Sequence, residues 1–322
     1  MREIQFAEKR QPEWDVWDRW LAGQEQEGLP ALALADLPGS FRRLNHDLAL
    51  ARERRYSAFL VEALERRVLL AHQRIYGASP MQGNSLVDFL ASGFPQLVRD
   101  EWRYVASAAL LFFLPLCLML VLAQFDPDVI FRILSPEQAY EMQRMYAPDA
   151  PHLGRPRAAS SEWAMWGFYI ANNVRIDFQC FAGGMLFGVG AIFFLLYNGL
   201  VIGAVAGHMT QLGYIETFWG FVAGHSAFEL TGAVLAGAAG LRVGYALVAP
   251  GHYRRVFALQ RSAIVAGKLL AGAALLTFLA AFIEAFWSPE RGIPSMVKYG
   301  FGLALWLLTW SYLMLVGKRH AT

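Results

Sequence analysis

The chain has 322 residues, of which 56% are hydrophobic, 14% aromatic and only 17% charged, and its mean hydropathy of +0.33 lies well to the apolar side of a water-soluble domain. A net charge of +2 without interleaved basic and aromatic residues excludes a nucleic-acid reader. Its two cysteines, Cys117 and Cys180, both sit in apolar runs, which excludes a disulfide framework. What remains is an all-α membrane protein.

The opening segment, 1–100, reads as a helical cytoplasmic domain. Trp14, Trp17, Trp20 and Leu21 follow Pro12 at helical spacing and predict a helix over 13–26. A second helix is expected over 40–55. Leu60, Leu64, Val68, Ala71 and Ile75 mark the buried face of a third, with Glu65, Arg66, Arg67 and Arg74 largely off it. Leu86, Val87, Phe89, Leu90 and then Phe94-Pro95 predict a short interfacial helix leading into the membrane. No apolar run precedes Arg103, so this segment reads as neither a signal peptide nor a cleavable leader. Arg52, Arg54, Arg55, Arg66, Arg67, Arg99 and Arg103 crowd the same region, which places the amino terminus in the cytoplasm by the positive-inside rule. They are candidate contacts for membrane lipids, worth about 1 kcal/mol each at anionic head groups. A solvated helix face is the alternative.

The segment 101–322 is the expected transmembrane domain. Five apolar runs, 105–124, 181–207, 228–248, 264–286 and 299–316, approach the length that crosses a hydrocarbon core. Between the first two lies a proline-rich extramembrane loop, 125–162, in which Ser135-Pro136-Glu137 predicts a short helix over 137–145. Five spans put the carboxyl terminus outside, yet Arg254, Arg255, Arg261, Lys318 and Arg319 dilute the charge asymmetry. A full crossing by 163–179 or 217–225 makes the count even.

Polar groups recur where the chain is otherwise apolar enough to be in lipid. Asn172, Asn173, Asn198, His225, Glu229 and Glu284 form a candidate intramembrane centre, since such groups are costly in hydrocarbon and mark a site or a packing device. His225 and Glu229 share a helix face at i, i+4, and Gly224 beside them is a natural break, leaving 218–223 as a re-entrant arm. Arg175 and Asp177 read as interfacial anchors. A structural cluster that fixes helix register is one reading, and a permeation path is another. His208, His225, Glu229 and Glu284 are possible zinc ligands by residue type. However, no His-Glu-x-x-His helix is present, so no metal, cofactor or catalytic residue is assigned. Gly199, Gly203 and Gly207, then Ala236, Gly240 and Gly244, repeat every fourth residue and predict flat strips for close helix packing, within the chain or in a homo-oligomer.

Read in order, Phe94-Pro95, Ile170-Ala171-Asn172-Asn173-Val174, Phe181-Ala182-Gly183-Gly184, Asn198-Gly199-Leu200-Val201-Ile202-Gly203, Gly224-His225-Ser226-Ala227-Phe228-Glu229-Leu230 and Phe282-Ile283-Glu284-Ala285-Phe286 resemble the stage II sporulation protein M family. The resemblance implies a bacterial inner-membrane protein without enzymatic activity. Its namesake works in a septal complex with peptidoglycan-degrading partners, and other members accompany MoxR-type AAA+ ATPases and RDD-family membrane proteins. The long amino-terminal domain here is more similar to those latter members. Implied partners are therefore an AAA+ ATPase, an RDD-family protein or cell-wall enzymes. Channel or transporter activity and intramembrane metal-dependent catalysis are the alternative functions.

Overall fold

The structure, a computed structural model, describes residues 3–21, 37–76, 85–150, 152–154 and 162–317. Lys318, Arg319 and the end of the helix expected over 13–26 lie outside the described residues. All regular structure among the described residues is helical, and the chain divides into two compact units, Met1–Ser85 and Leu86–Thr322.

The first unit contains α1 (Glu3–Leu21), α2 (Leu37–Glu53) and α3 (Ala58–Tyr76). Phe6, Trp14 and Trp17 of α1 meet Leu44, Leu48 and Ala51 of α2 and Leu64 and Ala71 of α3 in one core. Helix α1 does not start at Pro12 as expected but runs through it. Pro12 and Glu8, one turn earlier, are both exposed, so the carbonyl that loses its N–H partner lies on the solvent side of the helix. Asp47, only 3% exposed, accepts from Arg10 Nε at 2.8 Å and Trp14 Nε1 at 3.0 Å, tying α1 to α2. At the start of α3, Glu3 accepts from the Ser57 amide at 2.9 Å and from the Ser57 hydroxyl. These bonds hold the Glu3 carboxyl below its ordinary value of 4.5. Among the basic residues, Arg52 pairs with Glu65 and Arg67 with Asp18, each at 2.7 Å, whereas Arg54, Arg55 and Arg66 are exposed.

The second unit contains α4 (Phe94–Asp100), α5 (Trp102–Phe125), α6 (Pro136–Tyr146), α7 (Glu162–Ala182), α8 (Val189–Gln211), α9 (Ser226–Val248), α10 (Arg255–Phe286) and α11 (Ser295–Leu315). Phe94 and Val98 are core residues here, packed with Leu235, Leu269 and Leu313. A Cβ at Gly272 would lie 1.9 Å from the Phe94 ring. The division between units therefore falls at Ser85/Leu86 rather than near residue 100. The stretch before the first span carries a buried anchor at Phe94, while Leu86 and Val87 stay exposed. Arg99 donates to the Leu313 carbonyl at 2.6 Å, and Arg103 stacks over Trp102 at 5.7 Å. Helix α6 begins where Ser135 predicts, with a reciprocal capping box between Ser135 and Gln138.

Helix α9 is the hub, packed against α5, α7, α8, α10 and α11. The small-residue strips make this possible. A Cβ on Gly199 or Gly203 would come 2.3 Å from the carbonyl oxygen of Phe112 or Leu116, so α8 lies directly on α5. On α9, Ala236 is fully buried, and a Cβ on Gly240 or Gly244 would lie 2.4 Å from the Cys180 oxygen or 2.3 Å from the Gly188 nitrogen. Both strips are thus occupied within the chain, which leaves them unavailable for self-association.

Among the described residues, four helices are long and apolar enough to cross a membrane: α5, α8, α9 and α10. Two expected spans change. The run 181–207 is broken, because the chain turns at Gly183–Met185 and passes through Phe187 and Gly188 at φ 54° and 85° before α8 begins. The run 299–316 does form α11, which carries Lys298, Tyr299, Trp306, Trp310 and Tyr312 and is not among those four. The segment 163–179 belongs to α7, a helix of 21 residues that carries amides, Arg175 and Asp177 and is likewise not among them.

Candidate functional site

The site forms where α9 begins. A short helix, Gly220–Ala223, stops at Gly224, and α9 restarts with His225 as its N-cap. A Cβ at 224 would lie 2.5 Å from the Trp287 ring, so any larger residue there would have to displace the indole. The break leaves His225 only 4% exposed, with its ring edge against Phe221. Its Nδ1 lies 3.0 Å from Ser288 Oγ, and its Nε2 lies 3.5 Å from Glu229 Oε2 one turn along α9. Ser288, just past the end of α10, is wholly buried, and its carbonyl accepts from Lys298 Nζ at 2.8 Å.

Helices α7 and α10 supply the other side. Asn173 donates to Glu284 Oε2 at 3.4 Å, and Asn172 donates to Asn173 Oδ1 at 2.9 Å. One turn further along α7, Asp177 accepts from the Thr277 hydroxyl at 2.5 Å, with both side chains buried. Asn173, Asp177, Asn198 and Glu229 line a cavity of about 20 Å³, room for a single water. Ligand atoms of His225, Glu229 and Glu284 all lie within 4.8 Å of one another.

Asn173, Asn198, His225, Glu229 and Glu284 are therefore gathered around one locus. Asn172 stands at its edge, where it accepts from Arg175 at 3.4 Å. Asn198 lines the cavity, but its amide donates to the Phe194 carbonyl of its own helix at 2.8 Å. His208 lies apart, 2.7 Å from Gln143 and edge-on to Phe131. Asp177 is not the interfacial anchor expected, because it faces inward while Arg175 faces out. Thr277 and Ser288 were invisible to motif reading. Asp177 was not, for Asn173, Asp177 and Cys180 follow the i, i+4, i+7 stripe of one buried face. Just before α5, Glu101 bonds Arg242 at 2.8 Å. Burial raises the Glu101 pKa, and the Arg242 guanidinium opposes that rise.

Apolar helices closing over a core of paired acids, amides and imidazole define a multi-span helical membrane protein with a buried polar centre. The stage II sporulation protein M family matches residues 108–289, which hold every member of that centre, and the chain belongs to this family. A domain of unknown function, DUF8413, matches residues 4–77, the span of the three-helix unit, in keeping with the long form of the family. No curated protein and no solved structure matches the chain.

Proposed function

We propose that the protein is a non-enzymatic component of a bacterial envelope complex, held in the inner membrane with its three-helix unit in the cytoplasm. The observation that carries this reading is the inward closure of the polar centre. Asp177 bonds Thr277, Asn173 bonds Glu284, and His225 at the start of α9 meets Ser288 just past α10, so α7, α9 and α10 are tied to one another. Such pairing offsets the cost of placing these groups in hydrocarbon and sets helix register. The cavity of about 20 Å³ is too small for a wet path, which weighs against a channel.

Catalysis has less support. The family is not a known enzyme family, and Ser226 is engaged elsewhere, donating to the Ala223 carbonyl at 3.4 Å and accepting from Trp306 at 3.2 Å. The partners that fit are an AAA+ ATPase, an RDD-family membrane protein or a cell-wall enzyme. Affinity capture from native membranes with mass spectrometry tests the reading. A specific envelope partner at comparable abundance supports it. Failure to recover one, together with ion or solute flux in liposomes, would replace it with a channel.

A further inference from the structure

We propose that His225, Glu229 and Glu284 bind one divalent cation of nitrogen and oxygen preference, zinc fitting best, as a clamp between α9 and α10. The three residues offer one imidazole nitrogen and two carboxylate oxygens within 4.8 Å of one another. Ligands about 2.0–2.2 Å from a tetrahedral zinc stand roughly 3.4 Å apart. The His225 Nε2 to Glu229 Oε2 distance of 3.5 Å is close to that edge. It is also longer than a good hydrogen bond, so it fits two ligands of one ion better than a direct pair.

The surroundings are those of a metal site. Histidine ligands are oriented through their other nitrogen, and here Nδ1 faces the buried Ser288 hydroxyl at 3.0 Å, leaving Nε2 for the ion. Asn173 holds the Glu284 carboxylate at 3.4 Å. A cavity of about 20 Å³, lined by Asn173, Asp177 and Asn198, adjoins the site on the Glu229 side and has room for a water next to that carboxylate. Electrostatics favour the ion as well. A dication matches the charge of two carboxylates beside a neutral imidazole and so offsets part of the cost of holding these partly buried acids. The pattern escapes a His-Glu-x-x-His search because Ser226 and Glu229 stand where that motif has its glutamate and second histidine.

The test uses the full chain purified in detergent, stripped with a chelator, incubated with zinc and desalted. Metal content is read by elemental mass spectrometry and the unfolding midpoint by thermal scan. The proposal predicts that the wild type retains one zinc per chain and unfolds at a higher midpoint with zinc than with chelator. His225→Gln and Glu284→Gln lose both effects, and His208→Gln, altered at the separate histidine, keeps both. If His225→Gln does not fold, Glu284→Gln decides. Absence of zinc from the wild type, or retention by Glu284→Gln equal to the wild type, overturns the site. This readout needs no partner protein, so its failure is separable from failure of the complex reading.

Discussion

Replacing Gly240 with alanine tests the packing on which the polar centre depends. The added methyl would sit 2.4 Å from the Cys180 carbonyl oxygen, 3.0 Å from the Phe181 carbonyl oxygen and 3.1 Å from the Ala191 side chain. Two of these neighbours are backbone, so no rotamer change relieves the contact, and α9 must back away from α7 by about 1 Å to reach ordinary van der Waals separation. Overpacking of this kind costs about 1–3 kcal/mol, and alanine returns only about 0.5–1 kcal/mol of helix propensity. The expected net is a loss on the order of 1–2 kcal/mol. Gly267→Ala, on α10 with nothing within 4 Å of its added methyl, is the internal control and should match or exceed the wild type. Thermal unfolding followed by tryptophan fluorescence in one detergent compares the three proteins. If Gly240→Ala unfolds at or above Gly267→Ala, the close contact of α9 with α7 is wrong, and the geometry of the polar centre with it.

The remaining predictions concern individual polar groups. Thr277→Val leaves the buried Asp177 without its hydroxyl donor and should cost about 1–3 kcal/mol. In a double-mutant cycle with Asp177→Asn the two losses should fall short of additivity, and strict additivity would show that the pair does not interact. In the first unit, Asp47→Ala strands the buried Trp14 N–H and should destabilise it by about 1–3 kcal/mol, read as a lower denaturant midpoint. Glu3 gives a pH test: its folded pKa is depressed by Ser57, so its contribution is present above the ordinary value of 4.5 and fades as pH falls through the lower folded value. Glu3→Gln should therefore flatten the acid side of the first unit's stability profile, and an unchanged acid limb would count against the Ser57 contact.

Much of the architecture was readable in the chain because apolar periodicity reports burial directly. The Trp14 and Trp17 stripe, the Leu60 to Ile75 face and the capping signal at Ser135 each produced the expected helix. Helix limits were less legible. An exposed proline does not end a helix when its freed carbonyl meets water, so α1 runs through Pro12. The run 181–207 is apolar apart from Asn198, and hydropathy carries no mark of a turn made by Gly183, Gly184 and Gly188 for close backbone contact. For the site, residue type flagged His225, Glu229 and Glu284, but only tertiary packing brings α10 beside α9. Thr277 and Ser288 are ordinary helix and turn residues until the fold sets them against Asp177 and His225.

The central claim, that the closed polar centre supports assembly with a partner, is tested most directly by quantitative affinity capture from native membranes. Wild type and a folded His225→Ala/Glu229→Gln variant are compared at matched expression, with His208→Gln as the reference for a histidine outside the centre. The account predicts one envelope partner, an AAA+ ATPase, an RDD-family membrane protein or a cell-wall enzyme, recovered with the wild type and His208→Gln and depleted from the double variant. Equal recovery with all three proteins would contradict it, since the partner would then be held without any contribution from the polar centre.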